Sequence, residues 1–231
     1  MRRWAALATL AVLAAGACGG SARPRRESTA RSTRTVAAAP APKPTHKPKP
    51  KPPPNPGSLP QTSQLPSAHT GQFRADMAAL WSGVVRDSLR AALPAFFPEA
   101  AYVQVKAIAD PRADYAARLL GDYKLDLAAA HALLGTQPRA ARLIAVEVPK
   151  SYAHWVSPGA CYNRVAYWEV PNARVVYRLG GALHSFGIAS MISWRGVWYV
   201  VHLGAVLRTG AGGAVDDPST GVGQSAPSST C

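Results

Sequence analysis

Residues 183–207, LHSFGIASMISWRGVWYVVHLGAVL, predict a β-hairpin and decide the fold class. The two halves, 183–194 and 197–207, are rich in β-branched and aromatic residues and have the residue period of two that strands show. Arg195-Gly196 between them is a two-residue turn of the kind that closes a hairpin. The stretch therefore predicts two antiparallel strands at the C-terminal end of a folded domain.

Segments upstream of this hairpin also have the strand period of two. A short strand is predicted at 102–108, where YVQVKAI alternates loosely and is partly β-branched. Turns at Pro171-Asn172 and Gly180-Gly181 are compatible with further hairpins. Together the segments predict a mostly antiparallel, five- to six-stranded sheet arranged as a meander. The remaining predicted strands are 142–149, 162–170 and 174–179.

Two segments have the spacing of three and four residues that is typical of an amphipathic helix. The first begins near Gly71 and is stopped by Pro94. The second begins at Asp110-Pro111, where aspartate caps free N–H groups and proline fits the first turn, and it ends at Gly135. The predicted class is α+β, with two main helices packed on a curved, mostly antiparallel sheet.

The folded domain is predicted to span 71–208, because the segments on either side lack apolar periodicity. Residues 18–70 include the piece APAPKPTHKPKPKPPPNPGS, whose alternating proline and lysine favour an extended, disordered tether. Residues 209–231 are rich in Gly, Ser, Thr and Pro, and they predict an irregular tail ending in Cys231. The domain, of about 140 residues, has enough chain for one core.

The formal net charge of +14 lies mostly in the tether. Between residues 22 and 66, nine lysines and arginines stand against Glu27 alone. A nucleic-acid-binding domain would carry its charge on the folded face, so nucleic acid is not an expected partner. A basic tether near a membrane could contact anionic lipid or a cell-wall polymer. The alternative is a solvated spacer that binds nothing.

The first 17 residues predict a secretory signal peptide. A basic start precedes an apolar run over 4–15, which is too short to span a bilayer. Ala15-Gly16-Ala17-Cys18, followed by Gly-Gly-Ser, resembles the lipobox of bacterial lipoproteins, although that family usually has leucine where Ala15 stands. With the tether, the chain resembles lipoproteins of high-GC Gram-positive bacteria. The resemblance implies a diacylated Cys18 and anchoring at the outer face of the cell membrane. Ala-Gly-Ala also fits ordinary signal peptidase, which would leave a secreted chain.

The chain has three cysteines, an odd number for an exported protein. If Cys18 carries lipid, Cys161 and Cys231 remain and are predicted to form a disulfide in an oxidising compartment. Closing a loop of about 70 residues stabilises the fold by about 4 kcal/mol in the chain-entropy model. The other explanation for Cys161 is a cysteine-hydrolase site with His184 and Asn172, because a thiolate nucleophile needs an imidazole and an orienting group.

The order of helix, strand, helix and antiparallel strands resembles the nuclear-transport-factor-two-like, cystatin-related cone folds. The piece ISWRGVWYVVHLG at 192–204 is similar to the terminal hairpin of that superfamily, in which an aromatic-rich strand follows a glycine turn. The resemblance implies a sheet that curves around a helix and leaves a pocket on its concave face. Such pockets are the default place to look for a ligand.

Candidate ligand-binding residues follow from side-chain directions along the last strand. If both faces of the sheet are covered, Trp198 and His202 would line a pocket with Trp168 or Tyr167. If only one face is covered, His202 has a structural role. A third alternative is that His202 acts as a general base. The alternation divides the strand into two faces, with Trp198, Val200 and His202 on one, and Val197, Tyr199, Val201 and Leu203 on the other.

The connection 151–161 is unusually aromatic for a loop between strands. Binding residues concentrate on such loops, and Tyr152, His154 and Trp155 could stack on a sugar, a peptide or a partner protein. The alternative is that Trp155 closes the open end of the core. Ligand binding is therefore assigned to Trp155, Tyr167, Trp198 and His202.

Recognised catalytic and cofactor motifs are missing from the sequence. It has no phosphate loop, no G-x-S-x-G elbow, no dinucleotide fingerprint and no metal-ligand spacing of histidines. No cofactor and no metal are therefore expected. Glu147 and Glu169 would form a glycosidase pair only if the fold brought them within about 5–10 Å. The sequence favours a non-enzymatic, lipid-anchored envelope protein that binds a ligand or partner, and the alternative is an envelope hydrolase or isomerase.

Overall fold

The computed structural model describes residues 55–204 and 211–225. The predicted signal peptide, Cys18, most of the tether and Cys231 lie outside the described residues. The Cys161–Cys231 disulfide therefore stays a prediction. Within the described ranges, no helix has the length and apolar character needed to cross a membrane.

The protein is α+β, with a six-stranded antiparallel sheet as predicted. Strands β3 and β4 are each 13 residues long and pair along their length, from Glu169 opposite Ile192 to Leu179 opposite Ala182. Strands β1 and β2 pair with β3 along its outer side, and β5 and β6 pair with β4 along the other. The strands are β1 (Arg142–Glu147), β2 (His154–Val156), β3 (Tyr167–Leu179), β4 (Ala182–Trp194), β5 (Val197–His202) and β6 (Asp216–Thr220).

Two of the three predicted turns are confirmed. Gly180-Gly181 joins β3 to β4 and Arg195-Gly196 joins β4 to β5, and all four residues have positive φ, as tight hairpin turns of this length require. The turn predicted at Pro171-Asn172 is wrong, because β3 continues through it. Pro171 is tolerated there because it lies between the segment of β3 that pairs with β2 and the segment that pairs with β1.

Helix α1 spans Gly71–Arg86 and begins where the sequence predicts, and the Thr70 side chain accepts a hydrogen bond from the Phe73 N–H at 3.0 Å. It ends before the predicted stop at Pro94, because Asp87 has left-handed backbone, with φ of +48°. The segment predicted as the second helix is helical as well. It consists of α4 (Pro111–Asp114), a π-helical turn (Tyr115–Leu119) and α5 (Leu120–Ala132), with Asp110 as the N-cap. A short helix α2 (Leu89–Ala92) follows α1. Apolar residues from α1, α5 and the sheet share one core.

The strand predicted at 102–108 is wrong, because this segment forms most of helix α3 (Glu99–Val105). Ala101, Tyr102 and Val105 are all buried, and their spacing places them on one face of a helix. Alternation over only seven residues is compatible with either structure, so burial of this face decides between them.

The chain ahead of Gly71 also packs on the domain. The Gln61 amide donates to the Ser193 carbonyl oxygen at 2.7 Å and accepts from the Arg195 N–H at 2.6 Å. The Trp168 indole donates to the Ser63 carbonyl oxygen at 3.0 Å. Residues 60–64 therefore belong to the folded structure, ahead of the predicted start of the domain at 71.

The C-terminal segment is more regular than predicted. Residues 216–220 form β6 at the edge of β4, opposite His184 and Ser185, so the prediction of an irregular tail is wrong for this part. The sequence DDPST has weak strand propensity, and the pairing depends on contacts that β6 makes with β4 and Arg174.

Asp76 is a buried acid in α1, and we expect Asp76→Asn to stabilise the protein at neutral pH. It is 2% exposed; Oδ1 accepts from the Gln72 amide at 2.8 Å, and Oδ2 has no partner among the described residues. Burial raises the pKa of Asp76, so its stabilising contribution exists at low pH and is lost as pH rises through the folded-state pKa. The melting temperature of Asp76→Asn should exceed that of the wild type at pH 7, and the gain should vanish near pH 4. An equal gain at both pH values would contradict this.

Candidate functional site

A cavity of about 310 Å³ lies between the sheet, helix α3 and the π-helical turn Tyr115–Leu119. Its walls combine apolar side chains with several buried polar groups, a composition typical of small-molecule sites. The residues that line it include Tyr102, Lys106, Arg118, Asn163, Tyr167, Glu169, Ser190 and His202, together with the apolar Phe97, Val105, Leu119, Ile192 and Val201.

His202 reaches this cavity through an irregularity in β5. Ser190 is opposite His202, but its neighbour Met191 is opposite Val200, so β5 has one extra residue, a β-bulge. Val201 and His202 consequently both line the cavity. The prediction that they lie on opposite faces is wrong, because strict alternation ends at the bulge.

Asn163 and Tyr167 form a buried polar pair in the cavity wall. Asn163 is 1% exposed, and its amide nitrogen donates to the Tyr167 hydroxyl at 2.5 Å. The amide oxygen of Asn163 has no partner among the described residues. Burial raises the pKa of Tyr167, so its phenol stays neutral and retains its proton for hydrogen bonding. A buried polar atom without a partner costs free energy, unless a water or ligand completes it.

Lys106 lies beside Asn163, because the two residues are directly opposite each other in an isolated antiparallel bridge. Its ammonium donates to the Cys161 carbonyl oxygen at 3.1 Å. Burial, helped by the nearby Arg118 charge, lowers the pKa of Lys106. Cys161 and Tyr162 both have left-handed φ values, so the chain turns sharply where it borders the cavity.

Tyr102, Asp114 and Arg118 form a hydrogen-bonded group at another side of the cavity. The Tyr102 hydroxyl donates to Asp114, and the Arg118 guanidinium donates to both Asp114 oxygens at 2.7 and 2.8 Å. The Arg118 hydrogen bond holds the pKa of Asp114 below its usual value, whereas burial raises the pKa of Tyr102. Arg118 also lies 3.6 Å from Asp122, so its charge is shared between two carboxylates.

Glu169 is a buried acid on the sheet side of the cavity. It is 3% exposed and accepts a hydrogen bond of 2.6 Å from the Ser190 hydroxyl, while His154 Nε2 lies 3.7 Å from its other oxygen. The glycosidase pair with Glu147 is not formed. Glu147 is opposite Arg174 on β3. Arg174 is five residues from Glu169 along the same strand, so about 16 Å of strand separates the positions of the two glutamates.

The other predicted site residues lie elsewhere. Trp155 is 40% exposed and packs edge-to-face on Trp168 at 5.4 Å, whereas Trp198 is buried and borders a different, smaller cavity. His184 stacks on Tyr177 at 5.5 Å. Cys161 borders the main cavity, but neither His184 nor Asn172 is among its lining residues, so the cysteine-hydrolase set is not assembled.

A second concave surface, of about 630 Å³, is an open apolar groove between α1 and the edge strand β1. It is lined chiefly by Phe73, Met77, Leu143 and Val146. Across residues 55–204 and 211–225, no cluster of three His, Cys, Asp or Glu side chains could hold a metal ion. No protein-family model, curated protein or solved structure matches this chain.

Sequence reasoning found Tyr167 and His202 but missed Lys106, Asn163 and Arg118 as cavity residues. Lys106 lies within the strand predicted at 102–108, and Asn163 lies within the strand predicted at 162–170, so neither was expected to border a cavity as a polar group. The signal that could have found Asn163 is its place two residues after the aromatic connection 151–161, where binding residues were expected.

Proposed function

We propose that the chain is an exported envelope lipoprotein whose domain binds a small, largely apolar molecule with a polar head group. The observation that carries this is Asn163, a buried amide that borders the cavity and whose oxygen has no hydrogen-bond partner among the residues that the structure describes. Such a group is costly to keep unless a ligand or water completes its hydrogen bonds. The proposed location at the cell envelope rests on the predicted signal peptide and on Cys18. The domain is proposed to bind its ligand without catalysing a reaction.

The size of the cavity limits the ligand to a small molecule. At about 30 Å³ for a water-sized group, about 310 Å³ holds roughly ten non-hydrogen atoms. The apolar part of the wall would surround the body of the ligand, and the polar groups near Lys106 and Asn163 would orient its head. The apolar wall comprises Phe97, Val105, Leu119, Ile192 and Val201.

The same proposal includes a cone-like curvature of the sheet around the two longer helical segments. Irregular pairing supports it, because bulges bend strands. The register shifts between Leu143 and Ala145 in β1, between Ser190 and Met191 opposite β5, and between Ser185 and Gly187 opposite β6. These shifts occur on both sides of the central pair of strands, where a curved sheet needs them.

We expect fluorinated fragments of about ten non-hydrogen atoms to bind the purified full chain in ligand-detected ¹⁹F NMR. Val201→Phe places a larger side chain in the cavity and should remove most of this binding. Ile144→Ser changes an exposed residue of the apolar groove and should leave it intact. Circular dichroism confirms that both variants are folded. Binding that survives Val201→Phe but is lost in Ile144→Ser would place the ligand in the groove and refute the cavity.

Two readouts of the same preparations test the rest of the proposal. Intact mass spectrometry of chain extracted from its native membrane should find a diacylated Cys18, and an unmodified thiol there would refute the anchor. Buried Glu169, bonded to Ser190 and sharing the cavity with His202, favours the alternative of a hydrolase or isomerase. Conversion of a bound fragment over time would support that alternative.

A further inference from the structure

We propose that the cavity recognises a carboxylate, held by the Lys106 ammonium and the Asn163 amide. The inference rests on the proposed function, that the cavity holds a small ligand, and adds the chemical class of its head group. Both residues line the cavity and are directly opposite each other in one antiparallel bridge. In such a pair the side chains leave the backbone on the same side, with Cβ atoms about 5 Å apart.

Lys106 has hydrogen-bonding capacity and charge left for a ligand. An ammonium has three N–H donors, and the Cys161 carbonyl oxygen accepts from one of them. Across the described ranges Lys106 makes no ion pair, although it is largely removed from water. An anionic group at Nζ would offset that desolvation.

The Asn163 amide can supply a second donor. Amide oxygen and nitrogen are assigned from the hydrogen-bond network, so the side chain can be turned by 180° within the same volume. In the turned orientation the Tyr167 hydroxyl donates to Oδ1, and both hydrogens of Nδ2 are free for a ligand. Two donors on neighbouring backbone positions suit the two oxygens of a carboxylate.

The other charged groups of the cavity already have partners. Arg118 is bonded to Asp114 and lies close to Asp122. Glu169 accepts from Ser190 and faces His154. A second acid would be repelled by Glu169, so the ligand carboxylate belongs on the Lys106 side, with its apolar body toward Ile192 and Val201.

Matched pairs of acids and amides test the head group directly. Titration calorimetry on the purified full chain would compare phenylacetate with phenylacetamide and octanoate with octanamide, which have about ten non-hydrogen atoms each. We expect at least one acid to bind about tenfold or more tightly than its amide, because charge-assisted hydrogen bonds are stronger than neutral ones. Lys106→Met should weaken binding of that acid about tenfold and leave the amide within about twofold.

Controls separate this inference from the proposed function. Lys124→Met removes an exposed lysine of α5 and should change neither affinity. Lys106→Gln replaces Lys106→Met if the latter does not fold. If amides bind as tightly as acids and neither Lys106 variant changes the affinity, carboxylate recognition is refuted. The proposed binding function would still stand in that case. Absence of binding by both classes, together with no fragment binding, would refute both.

Discussion

Replacing Asp126 with alanine is expected to lower the free energy of unfolding by roughly 2–4 kcal/mol, because it removes the acceptor of one buried and one partly buried N–H group. Asp126 is 1% exposed; Oδ2 accepts from the Gly204 N–H and Oδ1 from the Ala214 N–H, both at 2.9 Å. One carboxylate thereby joins α5 to the end of β5 and to the segment that leads into β6. The approach is close, because a Cβ at Gly213 would overlap the Leu125 carbonyl.

Chemical denaturation measures the loss, and hydrogen exchange locates it. Residues 211–225 should lose protection in Asp126→Ala before the central strands β3 and β4, because the carboxylate joins this segment directly to α5. Asp126→Asn should fall between alanine and wild type, since the amide keeps one acceptor but turns a donor toward the other N–H. Lys124→Ala, on the exposed side of the same helix, should change stability little. A loss below about 1 kcal/mol in Asp126→Ala would contradict the role.

Asp217→Asn is expected to lower the free energy of unfolding by about 1–3 kcal/mol, because it neutralises the carboxylate that is hydrogen-bonded to the buried Arg174 guanidinium. The Arg174 side chain is 2% exposed and donates to the Asp217 carboxylate at 3.0 Å, to the Asp217 carbonyl at 2.9 Å and to the Ser185 hydroxyl at 2.6 Å. Asparagine is the better replacement for Asp217, because φ is +38° there and asparagine tolerates left-handed backbone.

A double-mutant cycle with Arg174→Met isolates the charge pair. The double variant should be more stable than the sum of the single losses predicts, because methionine removes the buried cation whose hydrogen-bonded carboxylate Asp217→Asn neutralises. Glu99→Gln, which weakens an exposed pair with Arg112, should cost less than about 1 kcal/mol. Additive losses in the cycle would show that the two side chains stabilise the edge strand independently.

The regular elements were predictable where one local pattern is strong. Helix α1 and the helical segment from Pro111 to Ala132 have both the spacing of an amphipathic helix and recognisable caps at Thr70 and Asp110. Strands β4 and β5 follow from their apolar composition and the Arg195-Gly196 turn. In each case the residues that decide the structure are close together in the sequence.

The misassigned elements depend on distant parts of the chain. The segment around Tyr102 forms a helix because it buries one face in the core. Residues 216–220 form a strand because β4 has an open edge and Arg174 a charge to neutralise. Neither the open edge nor the buried charge is visible in the local sequence.

The candidate site was only partly predictable, because some of its residues are brought together by distant segments of the chain. Tyr167 and His202 were named because aromatic and histidine side chains on a hairpin attract attention in any sequence. Lys106 and Asn163 are polar residues of ordinary appearance, and they become a pair only through a bridge between segments 57 positions apart. Val201 was predicted to lie on the face opposite His202, but both line the cavity, since the bulge in β5 depends on pairing with β4.

The sequence by itself determined the α+β class, the two longer helical segments, the central antiparallel strands and their tight turns, because periodicity and turn chemistry act over a few residues. The tertiary structure alone decided helix α3, the edge strand β6, the bulge at Val201 and the polar cavity. These features arise from pairing, burial and charge neutralisation between distant segments, and the free energies of such contacts outweigh weak local propensities.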